Sequence, residues 1–73
     1  MSKTIIIRDT KIYGETATDK QIRYLHALCQ GKGIFFPYSS HTEAQQKISK
    51  QNAGMAIKSL LEGGEVKFQL KGN

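Results

Sequence analysis

The stretch Ser49-Lys-Gln-Asn-Ala-Gly-Met-Ala-Ile-Lys-Ser-Leu-Leu-Glu-Gly-Gly64 decides the fold. Ser49 is a helix start, because its hydroxyl can take an orphan N–H of the first turn. Ala53, Ile57, Leu60 and Leu61 recur at helical spacing with Ala56 beside them, so this face is expected to meet the core. Ile48 and Ala53 stand where a hydrophobic staple belongs, and Gly63 and Gly64 end the helix. Gly54 costs about 1 kcal/mol against alanine in a helix interior. Close approach of another backbone is the expected offset.

Working outward, residues 65–71 alternate: Val66, Phe68 and Leu70 on one face, Lys67, Gln69 and Lys71 on the other. That is a strand with one wet side. Upstream, Ser40 and Glu43 match a capping box for a short helix over residues 40–48, with Ala44 and Ile48 as its only apolar contacts. An ordered loop is the alternative there. Residues 32–39 form a connector, since the residue before Pro37 is driven toward extended geometry. Residues 18–30 read as a helix. Thr18 and Gln21 make its capping box, Ala17 and Ile22 its staple, and Ile22, Leu25, His26 and Cys29 its buried stripe, widened by Leu28. Gly31 is its expected C′ residue.

Residues 4–13 read as β, because Ile5, Ile6 and Ile7 are β-branched and suit a pleated surface. Residues 8–11 form either a hairpin turn returning through Ile12 and Tyr13 or a bulge in one longer strand. An isolated two-stranded ribbon is marginal in water, so the terminal strands are expected to pair under a helical cover. The expected fold is a single α+β domain over residues 1–73, with two or three helices packed on a small antiparallel sheet formed by the N- and C-terminal strands.

The chain has 73 residues and a formal charge of +5, with eleven Lys and Arg against six acids. So short a chain buries a thin core and has little room for a deep catalytic cleft. A basic surface favours polyanions. Arg8 and Arg23 are the only arginines, and Lys suits phosphate contact better than base-edge readout. The cations are spread along the chain with no basic tail, so any patch must come from folding. One cysteine, Cys29, allows no internal disulfide and fits a reducing compartment. With no signal-peptide pattern and no apolar run of spanning length, the expectation is a cytoplasmic protein without membrane contact.

The candidate sites follow. His26, Cys29 and His41 lack the spacing of a zinc site, so no metal or other cofactor is expected. Cys29 near a helix C-terminus is a poor thiolate, and the six acids show no catalytic pairing, so the chain is expected not to be an enzyme. Phe35 and Phe36 fit a thin core beneath the connector, with Tyr38 as a surface contact. The alternative is that all three stack on unpaired bases while Lys32 holds the backbone. At the start of the Ser49 helix, Lys47, Lys50, Gln51 and Asn52, with Lys58 further along, either form a solvated polar face or hold phosphate at a helix N-terminus. Lys20 and Arg23 add cations on the first helix.

The residues from Ala17 to Leu25 (ATDKQIRYL) and from Ile48 to Leu60 (ISKQNAGMAIKSL) resemble a small helical module. That module reads ATxKQxxYL … LTKxEASxLIxxL and occurs at the ends of phage and bacterial DNA-metabolism proteins, including single-strand annealing proteins and helicases. Thr18, Lys20, Gln21, Lys50 and Ala53 fall on its positions. Asn52 replaces its usual acid and Gly54 its usual Ser. The flanking strands are outside the pattern. The resemblance implies a DNA-metabolism setting and a phage or mobile-element origin, not an activity. The order helix, short helix, Ser-capped helix, Gly-Gly and strand is also similar to a winged helix, which would make the Ser49 helix a recognition helix.

These readings converge on a small DNA-associated accessory protein. Its expected phosphate contacts are Lys20, Arg23, Lys32, Lys47, Lys50 and Lys58, with Gln51 and Asn52 assisting. The alternative is a protein-interaction module or inhibitor of a host or phage enzyme, using a sheet edge or the aromatic loop. The same edge allows a homodimer.

Overall fold

The computed structural model describes residues 4–8, 12 and 14–69. The elements are β1 (Thr4–Arg8), α1 (Asp19–Gly31), α2 (His41–Lys47), α3 (Lys50–Leu61) and β2 (Glu65–Gln69). Of the turn or bulge read at residues 8–11 and its return through Ile12 and Tyr13, only Arg8 and Ile12 are described. Leu70 also lies outside the described residues.

The sheet is parallel, which corrects the antiparallel expectation. Thr4 pairs with Glu65, Ile6 with Lys67 and Arg8 with Gln69. The direction follows from where the helices begin. Ala17 N–H donates to Ile48 C=O at 2.8 Å, and Lys50 N–H donates to Glu15 C=O at 2.9 Å. This antiparallel bridge sits immediately before both α1 and α3. The two helices therefore start at one end of the molecule, and β1 runs toward that end. The connector carries the chain back as far as His26, where His41 meets it, and α2 completes the return to Ile48 beside Ala17. After α3, a tight turn sends β2 back in the sense of β1. The long crossover satisfies what parallel pairing requires.

The caps on α1 explain its length. Thr18 Oγ1 accepts from Gln21 N–H at 3.0 Å, and Gln21 Oε1 accepts from Thr18 N–H at 3.1 Å, as the sequence predicts. The helix runs through Gly31, however, and Gly33 takes the left-handed C′ position with φ +72°. Gly33 N–H then donates to Gln30 C=O at 3.2 Å and Ile34 N–H to Cys29 C=O at 2.8 Å. This places apolar Ile34 against the core, whereas stopping at Gly31 would have put Lys32 there. The same closure ends α3: Gly63 has φ +86°, and Gly64 N–H donates to Ser59 C=O at 2.7 Å.

The core lies between the helices and one sheet face. Ile5, Ile7 and Val66 point in, and Ile22, Leu25 and Cys29 of α1 meet them. The short helix α2 contributes more than its two apolar residues promised, because Ala44 and Ile48 are both wholly buried. Ser40 Oγ caps it by accepting from Glu43 N–H at 3.1 Å. The Glu43 carboxylate accepts from Ser39 Oγ instead of closing a full capping box.

Helix α3 is rotated from its expected setting. Ser49 Oγ caps it as predicted, accepting from Asn52 N–H at 3.0 Å. Its buried arc is Ala53, Ala56, Ser59 and Leu60. Ile57 is half-buried and Leu61 is 58% exposed, against the expectation of a core position. Small residues let α3 lie close to both α1 and the sheet, and close packing outweighs burial of one more leucine. Gly54 is also corrected. A Cβ built there would meet only Gln21 Nε2, at 3.8 Å, an ordinary contact with a side chain rather than backbone. Gly54→Ala is therefore expected to stabilise the fold by about 0.5–1 kcal/mol in urea unfolding. A loss of that size would restore the close-backbone reading.

Candidate nucleic-acid interface

The connector divides the aromatic lump. Phe35 is 81% exposed, contrary to the core position expected for it. Phe36 stacks on His26, with ring centroids 4.5 Å apart, and meets Tyr38 edge-on at 5.0 Å. Phe68 from β2 closes the cluster at 5.7 Å from both rings. Tyr38 is thus half-buried in an aromatic cluster instead of standing alone at the surface. The sequence showed Phe68 as a strand residue but gave no sign of this partnership.

The two histidines meet. Nδ1 of His26 and Nε2 of His41 lie 2.9 Å apart, a hydrogen bond carried by one ring proton. Among the described residues, no three His, Cys, Asp or Glu side chains gather closely enough to hold a metal ion. Burial pushes the Cys29 thiol up to about 11, so it is a neutral thiol in the core.

The predicted cations fall into separate places. Lys50, Gln51 and Lys58 line one groove, together with Glu15, Gln21, Gly54 and Met55. It is an open depression of about 670 Å³ where α1 and α3 both begin. Lys20 is exposed in the first turn of α1, next to Gln21. Arg23 is engaged within α1, its Nε donating to Asp19 Oδ2 at 2.7 Å. Lys32 lies at the opposite end of α1, beside Gly63, Gly64 and Glu65. Lys47 is exposed at the end of α2. Asn52 is half-buried.

Two groove residues were missed as such. Gln21 was read only as a cap. Its Oε1 caps α1, while its Nε2 donates to Lys50 C=O at 3.4 Å and ties the two helix starts together. The unused amide donor of a capping Gln was the available signal. Glu15 pairs with Lys50, Nζ to Oε2 at 3.3 Å, and both side chains are well exposed. Such pairs are worth little and open readily.

No described helix is long and apolar enough to cross a membrane. No protein-family model, curated protein or solved structure matches the chain.

Proposed function

We propose that this protein is a small non-enzymatic binding module that holds the phosphate backbone of nucleic acid, DNA before RNA, at the start of α3. The observation that carries the reading is the groove in which Lys50, Gln51 and Lys58 converge with Gln21. Two helices begin beside it, and their positive ends add to the attraction for an anion. The exposed Glu15–Lys50 pair can exchange its carboxylate for a phosphate at small cost. The likeness of residues 17–60 to a module of DNA-metabolism proteins supports the same setting. Lysine-led contact implies weak sequence preference.

The test is fluorescence anisotropy with labelled single- and double-stranded oligonucleotides at low salt. The double variant Lys50→Glu with Lys58→Glu is expected to weaken binding about tenfold or more, as each reversal removes a phosphate contact and adds repulsion. Lys32→Glu, at the far end of α1, is expected to do much less. Equal losses from all three positions would count against the groove.

A second reading is a protein-interaction module, favoured by Phe35 at 81% exposure and Ile6 at 42% exposure on the outer sheet face. A pull-down from nuclease-treated lysate separates the two. Persistent stoichiometric capture of one protein favours this reading, and capture lost on nuclease treatment favours nucleic acid.

A further inference from the structure

The outer edge of β2 is the least finished part of the fold. Among the described residues, β2 has a single strand neighbour, β1. Parallel sheets are normally covered on both faces and extended on both sides, and two strands alone are marginal. A groove of about 490 Å³ runs beside β2. Its walls are Ile34, Phe35 and Pro37 on one side and residues 66–69 on the other. Successive strand residues point to opposite faces. A groove touching four in a row therefore follows the strand's edge and not one of its faces. No backbone hydrogen bond joins the connector to β2 among the described residues. Among the described residues, the edge's N–H and C=O groups are thus left for another strand.

The sequence of β2 indicates which strand. Glu65 and Lys67 are exposed on the outer face and flank Val66, which is 3% exposed on the inner face. Two copies of Glu65-Val66-Lys67 laid antiparallel, centred on Val66, set each Glu65 opposite the other copy's Lys67. The two valines then meet across the axis on the core side. The segment is complementary to itself in both charge and apolar face. Opposite charges directly across an antiparallel pair stabilise it, and like charges destabilise it. β1 has no such symmetry, since Thr4-Ile-Ile-Ile-Arg8 in the same arrangement sets Thr4 against Arg8.

We propose that the occupant of this edge is a second copy of the chain. The two β2 strands pair antiparallel about Val66, joining the two-stranded sheets into one of four strands across a two-fold axis. The exposed Phe35 ring on the groove wall is covered in the dimer. An isologous contact of this kind closes on itself and does not propagate. The inference is independent of nucleic-acid binding, because the α3 groove is lined by none of these residues.

The test is sedimentation equilibrium of the full chain from about 10 μM to about 1 mM, a range suited to a small interface. The wild-type chain is expected to pass from monomer to dimer within that range. Lys67→Glu puts carboxylates face to face at both symmetric positions and is expected to weaken association about tenfold or more. Glu65→Lys does the same with two ammonium groups. Combining Glu65→Lys with Lys67→Glu restores opposite charges and is expected to restore the dimer. Both side chains are exposed, so circular dichroism should show the monomer fold unchanged in every variant. A wild-type chain that stays monomeric throughout would overturn the proposal. So would a dimer indifferent to the single reversals, or one that the double swap fails to rescue.

Discussion

Ile48→Ala is expected to cost about 3–4 kcal/mol, a large share of the stability of so small a fold. Ile48 is wholly buried at the junction of α2 and α3. Its backbone is fixed on both sides: its N–H donates to Ala44 C=O at 3.0 Å, and its C=O accepts from Ala17 N–H at 2.8 Å. The backbone at this junction cannot collapse easily around a lost side chain, so a cavity remains. A domain of 73 residues has roughly 4–10 kcal/mol of stability in all. The loss therefore removes about 30% of it or more, and the thermal midpoint should fall by at least about 12 °C. Ile6→Ala, on the outer sheet face, is the control and should stay within about 1 kcal/mol of wild type. Urea unfolding of the two variants checks both. A small effect of Ile48→Ala would mean that the bridge between residues 15–17 and 48–50 does not anchor the helices.

The second large effect separates two neighbouring phenylalanines. Phe36→Ala is expected to cost about 2–4 kcal/mol, because its ring meets His26, Tyr38 and Phe68. It joins the connector to α1 through His26 and to β2 through Phe68, where Tyr38 adds a second contact. Phe35→Ala should change stability by less than about 0.5 kcal/mol, since its ring is mostly in water. Near-ultraviolet circular dichroism should lose its aromatic signal with the first substitution and keep it with the second. Similar losses from both would mean that the two rings share the core, as the sequence alone suggests.

Local signals in the sequence were legible because they depend on near neighbours. The Thr18–Gln21 capping box, the cap at Ser49 and the glycine pair after α3 satisfy backbone groups within a few residues. Each is found as read. The alternation of Val66 and Phe68 likewise placed β2 with its correct face inward, though Phe68 is only half-buried. Strand direction was not legible. It depends on the connector carrying the chain back along α1, and no residue of the connector states its path. The setting of α3 was misread for a related reason. Leu61 belongs to the apolar stripe by spacing, yet Ala56 and Ser59 are what permit close packing on two sides at once.

The candidate site was legible in part. Lys50, Gln51 and Lys58 were marked by a helix start, and they share one groove. Arg23 was not separable from its own helix neighbour Asp19, which engages it four residues away. Lys32 looked close to the aromatics in sequence but lies at the far end from the groove, since α1 stands between them. Nothing in the sequence joins the two histidines, because the pairing of α1 with the start of α2 is a long-range contact.

The most direct test of the functional account is the salt dependence of oligonucleotide binding by the wild-type chain. Labelled single- and double-stranded oligonucleotides are titrated by anisotropy across a series of salt concentrations. With three lysines at or beside the groove, Lys20, Lys50 and Lys58, the logarithm of affinity should fall against the logarithm of salt with a slope of about −2 to −3. Binding undetectable even at about 20 mM salt, or an affinity that does not change with salt, would contradict the account, because phosphate-driven association must strengthen as salt is removed.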